Sequence, residues 1–414
     1  MFRKKKEGKK MGLFFKNEQY EFQALRGISL TSSGQADICE VLSTCERIKN
    51  GKCDSWLSEW TKTADAVHKF GEESLKLKCY ESASHSFLRA SNYYRIAEFY
   101  LNYGCDMKLM KKIDNSCTEC FNLGIKYSKY DIKPVSIPFE RTSLPAHFYK
   151  NDSKQNVPTI IAMSGNDGTK EELYGIGVCA IERGMNCLIL DGPGQGEAIR
   201  QRGIPFRYNT ETVMTAAIDY LLLHSNVDPR KIIVWGESLG GYFAARAAAF
   251  EHRIALCIAN GGINDCIAYG KMSGMSIERR NSLFNLLRKN SKRFNLIIKF
   301  LMKRSVNMDW IIRHGLLTFQ VKTPTEYILS YEPYLLTEGI ASKITCPTLI
   351  TDCENEVNFR KQPKIVYNML KCPKEYMLFT HEECGGYHCE AGGRLYANDR
   401  IFNWIEKTLN DVSN

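Results

Sequence analysis

Six short apolar runs punctuate the chain from residue 157 onward: VPTIIAM (Val157–Met163), NCLIL (Asn186–Leu190), IIVW (Ile232–Trp235), IALCIA (Ile254–Ala259), CPTLIT (Cys346–Thr351) and EYMLFT (Glu375–Thr380). They are apolar at successive rather than alternate positions, the pattern of strands covered on both faces. Two further strands, Val135–Phe139 and Leu144–Tyr149, precede them. Tyr208–His224, the alanine-rich Tyr242–Phe250 and the closing Asn398–Leu409 read as helices. Strands alternating with helices predict an α/β protein with a mostly parallel central sheet.

Upstream the texture changes. From Ala36 to about Tyr127 apolar and aromatic residues recur at helical spacing with almost no proline, predicting an N-terminal helical domain. Trp56, Trp60, Tyr93, Tyr94 and Phe99 are expected to pack between its helices, with lining of a ligand cavity as the alternative. The expected organisation is a basic tail and irregular lead-in over 1–33, the helical domain over 34–128, and the sheet-bearing core over 129–414 with a helical insert at about 264–343.

One strand ends in a sequence with chemistry in it. KIIVWGESLGG runs from strand into helix through Gly236-Glu237-Ser238-Leu239-Gly240, the Gly-x-Ser-x-Gly form of a nucleophile elbow. Ser238 is the candidate nucleophile; the bland reading is a small residue at the end of a buried strand. A serine hydroxyl needs a general base, and the base needs an acid to fix its tautomer. With this elbow the chain order is serine, acid after a later strand, then histidine. Of the histidines after Ser238, His252 lies beside the elbow helix, His314 lies in the insert, and His381 ends the last strand. His388, in the loop CGGYHCEAGG, is the favoured base. The stretch TDCENEV after CPTLIT offers Glu356 as the acid, with Asp352 as the alternative acid. For the oxyanion hole, the candidates are the backbone N–H of Leu239 and that of Asn166 or Gly165 in the loop Ser164–Gly168. DGPGQG (Asp191–Gly196) has neither a P-loop lysine nor a G-x-G-x-x-G pattern, so it reads as a tight turn shaping the pocket.

Composition removes alternatives. Hydrophobic content of 44% and charged content of 25% are those of an ordinary globular protein. The opening MFRKKKEGKKMGLFF lacks a signal peptide's apolar region and cleavage site, and no apolar run is long enough to span a bilayer, so a cytoplasmic protein is expected. The sixteen cysteines are scattered without framework spacing, as reduced packing thiols are. A lone Cys117-x-x-Cys120 has no partner pair, and the Cys384, His388, Cys389 cluster loses to His388's role as base. No metal or organic cofactor is expected, because a serine, acid and histidine set is chemically complete. The net charge of +10 is concentrated in Arg3 to Lys10 and in Glu278–Arg304, where nine basic residues face one acidic. Neither stretch interleaves aromatics in a nucleic-acid-binding module, so no nucleic-acid partner is expected.

Assembled, these residues make the chain similar to an α/β-hydrolase. It resembles the group with an N-terminal helical domain that includes 2,6-dihydroxypseudooxynicotine hydrolase and fungal polyketide hydrolases and transferases. The carriers are ASNYYRIAEFYL, SGNDGTKEELY, DGPGQGE, GESLGGYFAARAAAFEHRIA, CPTLITDCENE and EECGGYHCEAG. The resemblance implies helical segments enclosing the pocket, and cleavage of an ester or carbon–carbon bond, or acyl transfer, in a small-molecule substrate. Carried over by position, the nucleophile falls on Ser238, the acid on Glu356 where aspartate is more usual, and the base on His388. The function expected is a serine hydrolase working through an acyl-enzyme, against an acyltransferase and a non-catalytic ligand-binding protein; a covered pocket disfavours a peptidase. The insert then resembles a cap, and its basic segment has three readings: a solvated face, attraction of an anionic substrate or carrier, or contact with an acidic membrane surface. The sequence is compatible with a single copy or a homodimer.

Overall fold

A computed structural model describes residues 12–101, 104–224, 226–383 and 385–413. The basic tail over residues 3–10 and Cys384 lie outside the described residues. The chain begins with helices α1 (Glu18–Ser29), α2 (Ile38–Arg47), α3 (Cys53–Lys76), α4 (Tyr80–Glu98) and α5 (Met107–Lys126). Trp56, Trp60, Tyr93 and Tyr94 are buried among them, and the Trp56 indole donates to the Ile96 carbonyl at 2.7 Å. Cys117 and Cys120 are buried packing thiols of the same core.

The irregular lead-in expected up to Ser33 is corrected. Residues 18–33 are helical, because Asn17 caps the Gln19 and Tyr20 N–H groups and α1 buries one stripe, Tyr20, Gln23, Ala24 and Gly27. That stripe follows the helical spacing, but a glutamine and a glycine hold two of its four positions.

Eight strands follow: β1 (Ile132–Phe139), β2 (Thr142–Tyr149), β3 (Val157–Met163), β4 (Asn186–Leu190), β5 (Val227–Glu237), β6 (Ile254–Asn260), β7 (Thr348–Cys353) and β8 (Lys374–Phe379). They form one sheet in the order β1-β2-β4-β3-β5-β6-β7-β8. The pairs β1/β2 and β2/β4 are antiparallel and the rest parallel. The successive apolar positions divide between two cores. Ile232 and Val234 face the helices Glu211–Leu221 and Leu239–Ala248, whereas Ile233 and Trp235 face Tyr174–Glu182 and Arg394–Ser413. An α/β fold with a mostly parallel sheet and an N-terminal helical region is therefore what the chain adopts.

Between β6 and β7 the chain inserts the helices Ile277–Lys289, Ser291–Met302, Val306–Thr318 and Pro324–Ser330. The insert is tied to the N-terminal helices where Trp310 stacks on Phe99 with ring centroids 4.6 Å apart and donates to the Phe99 carbonyl at 2.7 Å. Among the described residues, no helix is long and apolar enough to cross a membrane.

Candidate active site

The site gathers at the carboxyl ends of the parallel strands, where open α/β sheets hold their ligands. β5 ends at Glu237, and Ser238 turns the chain into the helix Leu239–Ala248 with φ 57° and ψ −120°, a strained conformation for a residue with a side chain. The glycines around it are required by space. A Cβ on Gly236 would stand 1.8 Å from the Gly240 carbonyl oxygen, and one on Gly240 would stand 2.6 Å from that of Ser164. The elbow is pinned where the Ser238 N–H donates to the Asn260 carbonyl at 2.9 Å.

His388 reaches the serine from the loop after β8. Its Nε2 lies 2.8 Å from Ser238 Oγ, and its Nδ1 is hydrogen bonded to Glu356 Oε2. Glu356 stands in the loop after β7, its other oxygen accepting the Asn358 and Phe359 N–H groups at 2.6 and 3.2 Å. Burial alone would raise the Glu356 carboxyl, but His388 and those two N–H groups hold it below the usual glutamate range. Burial works against an imidazolium at His388, yet Cys389 and Glu356 outweigh it and raise the ring above the ordinary histidine value. Asp352 does not join this line: it accepts from the Tyr376 hydroxyl at 2.5 Å and from the Cys353 N–H at 2.8 Å. His381 stays outside it too, its N–H donating to Glu354 at 2.9 Å.

The loop after β3 closes over the elbow. A Cβ on Gly165 would stand 2.8 Å from Ser238 Cβ and 3.2 Å from the Leu239 nitrogen, so only glycine lets this backbone approach. Two side chains hold the loop. Gln195, from the Asp191–Gly196 turn, donates to the Ser164 and Gly165 carbonyls at 2.5 and 2.8 Å, and the His314 Nε2–H donates to the Asn166 carbonyl at 2.8 Å. Gly165 therefore lies against Ser238 and Leu239, and Asn166, the next residue, sits on a backbone held through its carbonyl by His314.

Several neighbours carry no signature along the chain. Phe22 of α1 and Phe359 place their rings 6.5 and 6.0 Å from the His388 ring. Glu390, a buried member of the histidine loop itself, accepts from Asn260 Nδ2 at 2.8 Å, and burial pushes its carboxyl up to about 7. Beside the Asn166 loop lies a cavity of about 10 Å³, room for one water-sized molecule, lined by Arg95, Glu98, Asp167, Arg200, Trp310 and His314. Phe99 also borders it. Burial raises the Glu98 carboxyl to about 8 despite Arg200 at 2.7 Å. No pattern along one segment reveals this set, because α4 supplies Arg95 and Glu98, the insert helix Val306–Thr318 supplies Trp310 and His314, and the rest come from other parts of the chain.

The prolyl oligopeptidase family, a family of α/β-hydrolase type, matches residues 178–317, the segment that carries the elbow. The hydrolase LUC6 of Fusarium sp is 28% identical, the alignment covering 96% of this chain and 98% of that protein. The 20-hydroxy-prefusarin hydrolase FUS2 of Gibberella moniliformis is 27% identical over 95% of this chain and 97% of its own. Among solved structures, 2,6-dihydroxy-pseudo-oxynicotine hydrolase superposes with a TM-score of 0.72 at 20% identity, covering 93% of this chain and 95% of that one. AbyA5 does so with a TM-score of 0.65 at 14% identity, covering 96% and 100%.

Proposed function

For this chain, an enzyme of the α/β-hydrolase type, we propose a serine hydrolase that cleaves an ester, or a carbon–carbon bond next to a carbonyl, in a small or medium-sized, partly apolar substrate. The observation that carries it is the continuous hydrogen-bonded line from Ser238 Oγ through His388 to Glu356, on an elbow strained at φ 57°. Ser238 Oγ attacks the carbonyl carbon as His388 Nε2 takes the hydroxyl proton. The carbonyl's electron pair moves onto its oxygen, between the N–H groups of Leu239 and Asn166, each such donor contributing about 3 kcal/mol to the transition state. When the tetrahedral species collapses, the pair returns and the bond to the leaving group breaks, with His388 giving its proton to that group. Water, deprotonated by the same ring, then releases the acid from Ser238. Glu356 holds the Nδ1–H tautomer and stabilises the imidazolium. Phe22 and Phe359 beside the histidine favour a substrate with an apolar body.

Covalent labelling with a small fluorophosphonate, followed by peptide mapping, tests this. An adduct on Ser238 that is lost in Ser238→Ala and in His388→Ala is the expected result; folded wild-type protein that takes no label overturns the reading.

The pH dependence follows from the geometry. His388 must be neutral to accept a proton, and its raised pKa means that kcat/KM for a chromogenic ester climbs as pH rises through an inflection above 6.5. Glu356→Gln removes one of the groups that hold the proton on the ring, so the inflection moves to lower pH and the plateau falls by about 10⁴-fold. Asp352→Asn leaves the inflection in place, since Asp352 bonds Tyr376 instead. A shift in the Asp352 variant and none in the Glu356 variant reverses the assignment of the acid.

A further inference from the structure

The basic segment of the insert had three readings, and the exposure of its side chains separates them. The helix Ser291–Met302 buries none of its residues fully, yet it is strongly two-sided. Phe294, Asn295, Ile298 and Met302 turn inward, Asn295 accepting from the Thr325 N–H and hydroxyl at 2.8 Å. The opposite side presents Leu296 at 70% exposure and Phe300 at 53%, with Ile297 and Leu301 beside them. Lys292, Arg293, Lys299, Lys303 and Arg304 surround these four apolar side chains, all exposed. Arg304 lies over the Phe300 ring at 4.2 Å. Arg280 alone among the nine cations of the segment is buried, paired with Asp265 at 3.1 Å.

A merely solvated face has no use for four adjacent large apolar side chains, whose contiguous exposure to water is unfavourable. A second copy of this chain seated on the patch would set the same cations against each other, and the lysine-rich residues 3–10 carry the same sign. An occupant must therefore be anionic at its rim and apolar beneath, which is the layering of an anionic lipid surface. The long stems of Lys292, Arg293, Lys299 and Lys303 let their charges sit among headgroups while the apolar side chains enter the acyl boundary.

We propose that the outer face of helix Ser291–Met302 docks the protein on anionic membrane surfaces, with Leu296, Ile297, Phe300 and Leu301 inserted and the flanking cations at the headgroups. None of these residues belongs to the Ser238, His388 and Glu356 line, so the proposal holds or fails independently of the hydrolase reading. The test is sedimentation of the full chain with vesicles of phosphatidylcholine alone or mixed with phosphatidylserine. Binding to the mixed vesicles that weakens with added salt is expected, with much less on phosphatidylcholine. Lys299→Gln/Lys303→Gln weakens it about thirtyfold, at about 1 kcal/mol per cation near the surface. Leu296→Ser/Phe300→Ser weakens it at least tenfold with the melting temperature unchanged, since both side chains are exposed. No sedimentation with anionic vesicles overturns the proposal. So does binding that is indifferent to Leu296→Ser/Phe300→Ser and matched by poly-glutamate, which assigns the face to an acidic protein, or a dimer in solution that this double variant dissociates.

Discussion

Replacing Ser238 by alanine lowers ester turnover by about 10⁶-fold and leaves the fold intact. The side chain is small, its Oγ contact is with His388, and alanine keeps the Cβ that packs on Gly165, so little in the core changes. His388→Ala costs about as much, and the double variant costs no more than either single one, because nucleophile and base act as a unit. What survives in all three is the contribution of the oxyanion donors and substrate binding, about 10³-fold over water. Ser238→Gly supplies a control for the elbow itself: glycine relieves a backbone held at φ 57°, so this variant is equally inactive yet more stable by about 1 kcal/mol in urea unfolding. Equal losses in Ser238→Ala and His388→Ala with a much larger loss in the double variant would mean two independent contributions and would contradict the hydrogen-bonded line as the working unit.

How much of this could be read from the chain depends on how each element is buried. The strands of the sheet are legible because both of their faces are covered: Ile232, Ile233, Val234 and Trp235 are apolar in succession, and each finds a core on its own side. Their ends are less legible. β8 begins at Lys374 and β1 at Ile132, where backbone pairing continues past the apolar run. The closing helix reaches from Arg394, four residues before the expected Asn398. The helix expected over Tyr208–His224 is confined to Glu211–Leu221. The residues at the site divide in the same way. Ser238, Glu356 and His388 follow from a local motif and a chain order, and the structure brings them together. Gln195, His314, Glu390 and Phe22 act through contacts between segments far apart in sequence, which no pattern along one segment encodes.

The least legible element also has the largest predicted effect on stability. Arg26 projects from α1 into the core, where its Nε and Nη2 donate to Glu172 Oε1 and Oε2 at 2.5 Å and its Nη1 to Asp167 at 3.3 Å. Glu172 is almost wholly buried, and the nearest other cation, Arg95, stands 3.8 Å away. Arg26→Met leaves that carboxylate short of its bidentate partner, at a cost of about 3 to 5 kcal/mol in urea unfolding. Changing both residues, Arg26→Met with Glu172→Met, removes the stranded charge, so the double variant is more stable than Arg26→Met alone. The pair also sets an acid limit. Burial would raise Glu172, but the two arginines lower it to about 2, so the pair's contribution of about 3 kcal/mol is complete above the unfolded glutamate value near 4.5 and lost as pH falls toward 2. Arg26→Met therefore flattens the stability profile between those two values. Because Asp167 follows Asn166, the same substitution loosens the loop that closes over Ser238, and turnover falls along with stability. A variant that loses stability but keeps full kcat would confine α1 to a structural role; one that loses both makes this helix part of the site, coupled to it through the Arg26 guanidinium.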